Sequence, residues 1–278
     1  MAVVNKQSKK IPPSNYAIGV FDSGLGGLTV VKELIKLLPD EDIVYFGDTA
    51  RVPYGTKSSE SIIRFSIDNA NVLISKKVKM IVVACNSSSS YALEVLKEKF
   101  DIPIVGVIDP GAQKAIRLTK NKKIGVIATS ATVDSGKYVE ALKNIDKSVK
   151  VTSVACPLFV PLVEEGWSNK KITADVAGIY LKLLKKENVD ALILGCTHYP
   201  LLKTVISKVM GRKVALVDSA REVAHQVEKL LDQRKNRKRS KQKGALRIFV
   251  SDKPQSFMRI AKSFLGCKID EISCLKKL

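Results

Sequence analysis

Two cysteines in this chain sit in matching surroundings. Met80-Ile81-Val82-Val83-Ala84-Cys85-Asn86-Ser87 and Ala191-Leu192-Ile193-Leu194-Gly195-Cys196-Thr197-His198 share one pattern, with the cysteines 111 residues apart: an apolar run, a small residue, a cysteine, then small polar residues. A short apolar run of this kind is the signature of a strand buried on both faces. Open α/β sheets bind ligands just beyond the carboxyl ends of such strands, so each thiol stands where chemistry is placed. A helix following each strand turns its N-terminal dipole toward the sulfur, which favours thiolate. A single cysteine is by default a small buried apolar residue. The matched pair, and polar neighbours suited to hydrogen-bonding a small anion, set these two apart.

Two opposed thiols have three chemistries open to them. A redox couple is disfavoured by the absence of C-x-x-C spacing. A soft metal would find only two thiols and one nearby histidine. The third chemistry is proton transfer at a carbon acid, one group on each face. A thiol's ordinary pKa of about 8.5 lies close enough to neutrality for either role. Inversion of stereochemistry then needs one thiolate and one thiol, exchanged at each turnover. Asp22 and His198 are candidates to take up or return the cysteines' protons. Asp22 ends an apolar run and, taken alone, reads equally well as a helix cap. His198 and His225 are the two histidines. His198 gains its interest from Cys196 and from the Tyr199-Pro200 turn after it; His225, inside an amphipathic segment, reads as structural. The stretch Phe21-Asp22-Ser23-Gly24-Leu25-Gly26-Gly27 invites a phosphate-loop reading but lacks the third Rossmann glycine and any following Gly-Lys-Ser/Thr. A carboxylate at the strand end would also repel phosphate.

The elements that must position these groups follow from the periodicity. Strand candidates are 17–21, 43–47, 79–84, 104–107, 123–128, 149–155, 191–195, 214–217, 246–250 and a weak one at 269–274. Amphipathic segments lie between them at 29–38, 59–76, 91–100, 133–143, 173–186 and 221–231. This alternation predicts an α/β fold: two similar domains, each a mainly parallel sheet flanked by helices, related by a pseudo-twofold with the site between them. We expect residues 16–107 with 219–278 to form the first domain and 108–218 the second. Residues 1–15 are expected to be a disordered arm. At 278 residues both domains can bury real cores, and 45% hydrophobic with 27% charged residues is ordinary globular composition.

No stretch is long and apolar enough for a membrane span, and residues 1–15 have no apolar h-region. Five cysteines form neither a disulfide framework nor a zinc pattern, which places the chain in reducing cytoplasm. The formal charge of +20 raises the question of polyanions. Only residues 234–243, within a basic loop at 233–244, concentrate it. That block, Arg234 to Lys243, holds no aromatic residue to stack on a base, so the expectation is a solvated loop, with a nucleic-acid contact as the minority reading.

Four motifs in order now resemble bacterial glutamate racemase: Asp22-Ser23-Gly24-Leu25-Gly26-Gly27-Leu28-Thr29, Gly47-Asp48-Thr49-Ala50-Arg51-Val52-Pro53-Tyr54-Gly55, Val83-Ala84-Cys85-Asn86 and Gly195-Cys196-Thr197-His198-Tyr199-Pro200. Phe159-Val160-Pro161-Leu162-Val163-Glu164-Glu165-Gly166 and Phe249-Val250-Ser251-Asp252 add weaker support. The resemblance spans about residues 18–266. It implies a cofactor-independent racemase supplying D-glutamate for peptidoglycan, acting as a homodimer. It implies catalytic roles for Cys85 and Cys196, with Cys85 taking the proton from D-glutamate and Cys196 from L-glutamate, assisted by Asp22 and His198. Substrate would be bound by Asp22, Ser23, Pro53, Tyr54, Gly55, Asn86, Ser87, Thr197 and His198, with Glu164 a further candidate. Family members usually carry threonine where this chain has Ser87; the hydroxyl is kept. The alternatives are a related racemase or isomerase acting on aspartate or another small carboxylate and, more distantly, a polyanion-binding protein on a disused enzyme scaffold.

Overall fold

The apolar runs become strands and the amphipathic segments become helices, with one or two helices between successive strands over most of the chain. The computed structural model describes residues 12–275 apart from 241, 253–256, 258–260, 262–264 and 267–268. In chain order the first elements are β1 (Ala17–Asp22), α1 (Leu28–Leu37), β2 (Ile43–Gly47), α2 (Ser59–Ser75), β3 (Val78–Val83), α3 (Asn86–Tyr91), α4 (Leu93–Lys99), β4 (Ile104–Gly106) and α5 (Ile108–Leu118). There follow β5 (Lys123–Ala128), α6 (Ser130–Asp134), α7 (Lys137–Ile145), β6 (Lys150–Ala155), α8 (Phe159–Glu164), α9 (Lys171–Lys186) and β7 (Ala191–Gly195). The described chain closes with α10 (Lys203–Met210), β8 (Ala215–Val217), α11 (Ser219–Gln233), β9 (Leu246–Val250) and β10 (Glu271–Cys274).

Two sheets result, as the alternation predicts. One has six strands in the order β10-β9-β2-β1-β3-β4 and the other four in the order β6-β5-β7-β8. Every pairing in both is parallel. The chain leaves the first sheet between β4 and α5 and comes back through α11, whose N-cap Asp218 accepts from the Ala220 amide at 3.0 Å. Helix α11 lays Val223, Ala224, Val227 and Leu231 against Leu28, Val31 and Leu34 of α1. Burying such side chains contributes about 1.5–3 kcal/mol each and is what fixes the return.

Three local expectations need correction. A single helix over 91–100 is instead α3 and α4, the first beginning immediately after Cys85. Its serines give no apolar periodicity, and Ser90 Oγ bonds back to the Asn86 carbonyl at 2.9 Å. A single helix over 133–143 is broken between α6 and α7 by Gly136, which adopts φ 65°. The solvated basic loop is, in its described part, tied down. Asn236 is buried and its Nδ2 donates to the Pro12 carbonyl, while Lys238 donates its amide to Glu41 and its Nζ to Asp42. Arg237 lies 3.5 Å from Glu228 and 3.6 Å from Asp232. The acidic partners lie elsewhere in the sequence, so the run of like charge gave no sign of them. The arm over 1–15 falls outside the described residues up to 11. Pro12 and Ser14 accept hydrogen bonds from Asn236 and Lys79, so this end of the arm is held against the body.

Candidate active site

The carboxyl ends of the strands of both sheets converge on one cavity. Of the residues singled out from the sequence, Ser23, Pro53, Tyr54, Gly55, Cys85, Asn86, Ser87, Cys196, Thr197 and His198 all line it, joined by Val52, Thr129, Val160 and Gly195. The space left open at its centre is only about 20 Å³, far below the ~300–1,000 Å³ usual for small-molecule sites. The two sets of loops are therefore nearly closed on one another, and a ligand enters only as they separate. Asp22 and Glu164 stand just behind the lining, and His225 lies outside it, exposed and 3.5 Å from Glu228.

Asp22 ends β1 and is fully buried. Its Oδ2 accepts from the Gly24 amide at 3.1 Å and its Oδ1 from Thr197 Oγ1 at 3.2 Å, a bond from one sheet's loops to the other's. Burial raises its pKa, and the charge on His198 counters part of that rise. Cys85 is the N-cap of α3 and is buried. Burial pushes its thiol up to about 12, with Asp22 adding to the rise and Ser88 opposing it.

Cys196 follows β7, with His198 Nδ1 3.8 Å from its sulfur. The turn that carries His198 is fixed by Tyr199, whose Oη donates to the Cys156 carbonyl at 2.8 Å and whose ring packs edge-on to Phe159 at 5.2 Å. Helix α8 brings Glu164 Oε1 to 3.3 Å from His198 Nε2. The carboxylate at this distance favours the charged imidazole. Burial works to lower the His198 pKa, but Cys196, Glu164 and Asp22 outweigh it and raise the imidazole to about 10. The two thiols thus have unlike neighbours: an acid beside Cys85, a cationic imidazole beside Cys196.

The glycine-rich stretch has a steric purpose. A Cβ on Gly26 would lie 2.3 Å from Thr197 Oγ1 and 2.8 Å from His198 Nδ1. One on Gly55 would lie 2.5 Å from Thr129 Cβ. At both places a loop of one sheet touches a loop of the other, and only glycine permits the approach.

Several participants were missed from the sequence. Thr129 and Thr132 pair with Ser87 Oγ at 3.0 and 3.2 Å. Tyr138 donates to Asn86 Oδ1 at 2.7 Å, which leaves the amide's N–H groups for a ligand. Buried Asp48 accepts from Tyr54 Oη, from Arg51 Nε at 2.6 Å and from Ser251 Oγ at 2.9 Å. Arg51 also meets Asp68 at 2.7 Å. Asp48 thereby holds the turn bearing Pro53, Tyr54 and Gly55. A signal for Thr129 existed: like Cys85 and Cys196 it is the first polar residue after a buried strand.

Comparison with known proteins agrees with this geometry. Residues 18–227 match the family described as Asp/Glu/Hydantoin racemase. A glutamate racemase of Geobacter metallireducens is 50% identical over 92% of this chain and 95% of its own length. Among solved structures, a glutamate racemase isoform from Bacillus anthracis superposes with a TM-score of 0.90 at 40% identity, covering 94% of this chain and 97% of its own. The glutamate racemase of Francisella tularensis, solved in complex with D-glutamate, gives a TM-score of 0.88 at 39% identity, covering 95% and 98%.

Proposed function

The chain belongs to the Asp/Glu/Hydantoin racemase family and is an amino-acid racemase acting on glutamate, and from that premise we propose that Cys85 and Cys196 exchange the Cα proton from opposite faces of the substrate. The observation that carries this reading is that the two thiols follow strands of different sheets and line the same cavity. With L-glutamate, the Cys196 thiolate takes the Cα proton and becomes a thiol. The electron pair left on Cα is delocalised into the adjoining carboxylate. The Cys85 thiol then gives its proton to the other face and becomes the thiolate. With D-glutamate the roles reverse, so no proton is consumed and no cofactor is required. His198 passes a proton to or from Cys196, and Asp22 does the same for Cys85. Glu164 stabilises the imidazolium. Ser23, Tyr54, Gly55, Asn86, Ser87 and Thr197 hold the ammonium and carboxylates, with Pro53 shaping the turn. A site that pairs both carboxylates of glutamate leaves buried donors unpaired with the shorter aspartate, which favours glutamate over the aspartate alternative.

The test is to incubate the purified chain with L-glutamate in D2O. Chiral chromatography with mass analysis should find D-glutamate carrying one deuterium at Cα, with little label in L-glutamate recovered early. Product that keeps the substrate's own hydrogen in single turnovers would sink the two-thiol mechanism.

We further propose that residues 16–107 with 219–278, and residues 108–218, are the bodies that part to admit substrate, and that D-glutamate from this reaction supplies peptidoglycan. Cytoplasmic location is supported by the free thiols of Cys85, Cys156, Cys196 and Cys274; among the described residues no helix is long and apolar enough to cross a membrane. Homodimerisation is supported by an apolar stripe on α9, where Ile172, Ile179 and Leu183 are 48%, 74% and 48% exposed. Light scattering of Ile179→Glu should then report a monomer; an unchanged dimer mass would move the interface elsewhere.

A further inference from the structure

Four serines follow Asn86, and the hydroxyls of three are engaged. Ser87 Oγ meets Thr129 and Thr132. Ser89 donates to the Val83 carbonyl at 2.8 Å and accepts from the Val107 amide at 3.3 Å. Ser90 donates to the Asn86 carbonyl at 2.9 Å. Ser88 differs. Its side chain is fully buried and Oγ has no hydrogen-bond partner among the described residues. Buried polar groups left unpaired are rare and call for a cause.

The cause lies three residues back. Cys85 is the N-cap of α3 and Ser88 its third helical residue, the relation in which an N-cap side chain accepts from the N3 amide. The thiol does not make that bond in this structure. A protonated sulfur is a weak acceptor, whereas a thiolate is a charged one. The Ser88 amide and hydroxyl both act on the Cys85 sulfur in favour of its charged form. The titratable groups around that sulfur are Asp22 from β1, Tyr45 from β2, Cys196 from the opposite sheet, and Tyr54 and Tyr91 of the apolar cluster that holds Cys85; none of these is a cation. Negative charge on Cys85 therefore depends on hydrogen bonds, not on a counter-ion, in contrast to Cys196 with His198 beside it.

We propose that Ser88 is a positioning residue for Cys85: its hydroxyl is held in reserve, together with its amide, and donates to the sulfur when Cys85 has lost its proton. The inference rests on Cys85 acting as a base, but it is measured without turnover. The readout is the rate at which iodoacetamide alkylates Cys85 in the full chain between pH 7 and 10, followed by peptide mass. Ser88→Ala should slow alkylation about tenfold at each pH, equivalent to displacing the rate curve upward by about one pH unit. A smaller side chain opens access, so a fall in rate cannot come from shielding. Ser88→Cys, a weak donor of similar volume, should give the same displacement, and Ser88→Thr should restore the wild-type curve. Ser90→Ala should leave the curve unchanged. If the curves of Ser88→Ala and Ser88→Cys superimpose on wild type, or Ser88→Thr is displaced as far as Ser88→Ala, the proposal is overturned. Failure of the two-thiol reading is seen separately, as racemisation that survives in Cys85→Ala.

Discussion

At Gly26 even a methyl group has no room, because Thr197 and His198 stand within 3 Å of where it would lie. Gly26→Ala should therefore push the Cys196 loop outward while leaving the sheets intact. A displacement of about 1 Å costs on the order of 100-fold in rate at a site that works by alignment. Circular dichroism should stay native while kcat falls by that order; near wild-type turnover would show that the contact is slack. The thiols make a sharper case. Cys196→Ala should abolish racemisation of L-glutamate and leave Cys85 able to take a proton from the other face. A D-configured analogue with a leaving group on its β-carbon should still undergo elimination, and Cys85→Ala should show the mirror preference with the L-analogue. Either alanine variant racemising at near wild-type rate would remove the mechanism.

Among the elements, the least visible from sequence is the junction below β3. Lys79 is fully buried, pairs with Glu41 at 2.6 Å, and donates to the carbonyls of Ser14 and Asn236. One ammonium thus ties together β3, the approach to β2, the N-terminal segment and the basic stretch. Lys79→Met would leave Glu41 buried without its partner, a loss of about 3–5 kcal/mol for a broken buried pair. Urea titration should show that loss, with kcat within about twofold of wild type because the catalytic loops lie at the other end of β3. A stability change under 1 kcal/mol would contradict this reading. Strands β2, β5, β7 and β9 were legible to the residue, since a run such as Ile43–Gly47 buried on both faces carries its own evidence. Helix α3 was not, because its serines answer to Asn86, Val83 and Thr129 instead of to an apolar face. The thiols could be read from their repeat. Thr129 carried a weaker sign, as the first polar residue after a buried strand, whereas the roles of Tyr138 and Ser251 were hidden because each takes its place from a contact with a distant part of the chain.

For the whole molecule, acid–base balance and stability are linked through His198. Its folded pKa of about 10 lies above the ordinary histidine value of 6.5. A raised pKa means that the stabilising charge is fully present below about pH 6.5 and is lost as pH rises toward 10. Across that window stability should fall by up to about 1.4 kcal/mol per pH unit. In His198→Asn this part of the slope should vanish. Parallel slopes for the two proteins in urea melts at pH 7, 8 and 9 would refute the linkage.

The strand order has a further consequence, for birth rather than for catalysis. In the six-stranded sheet β2 lies between β1 and β9, yet β9 and β10 follow every strand of the other sheet in the chain. During synthesis, β5 to β8 emerge with all their partners and can close their own sheet. Meanwhile β2 waits with an open edge, the kind of edge that recruits wrong partners. A ribosome paused after α11 would hold one finished sheet, one incomplete one, and Asp48 without Ser251 to brace it. Activity should therefore switch on late and all at once, and truncation before β9 should yield aggregation instead of a slower enzyme.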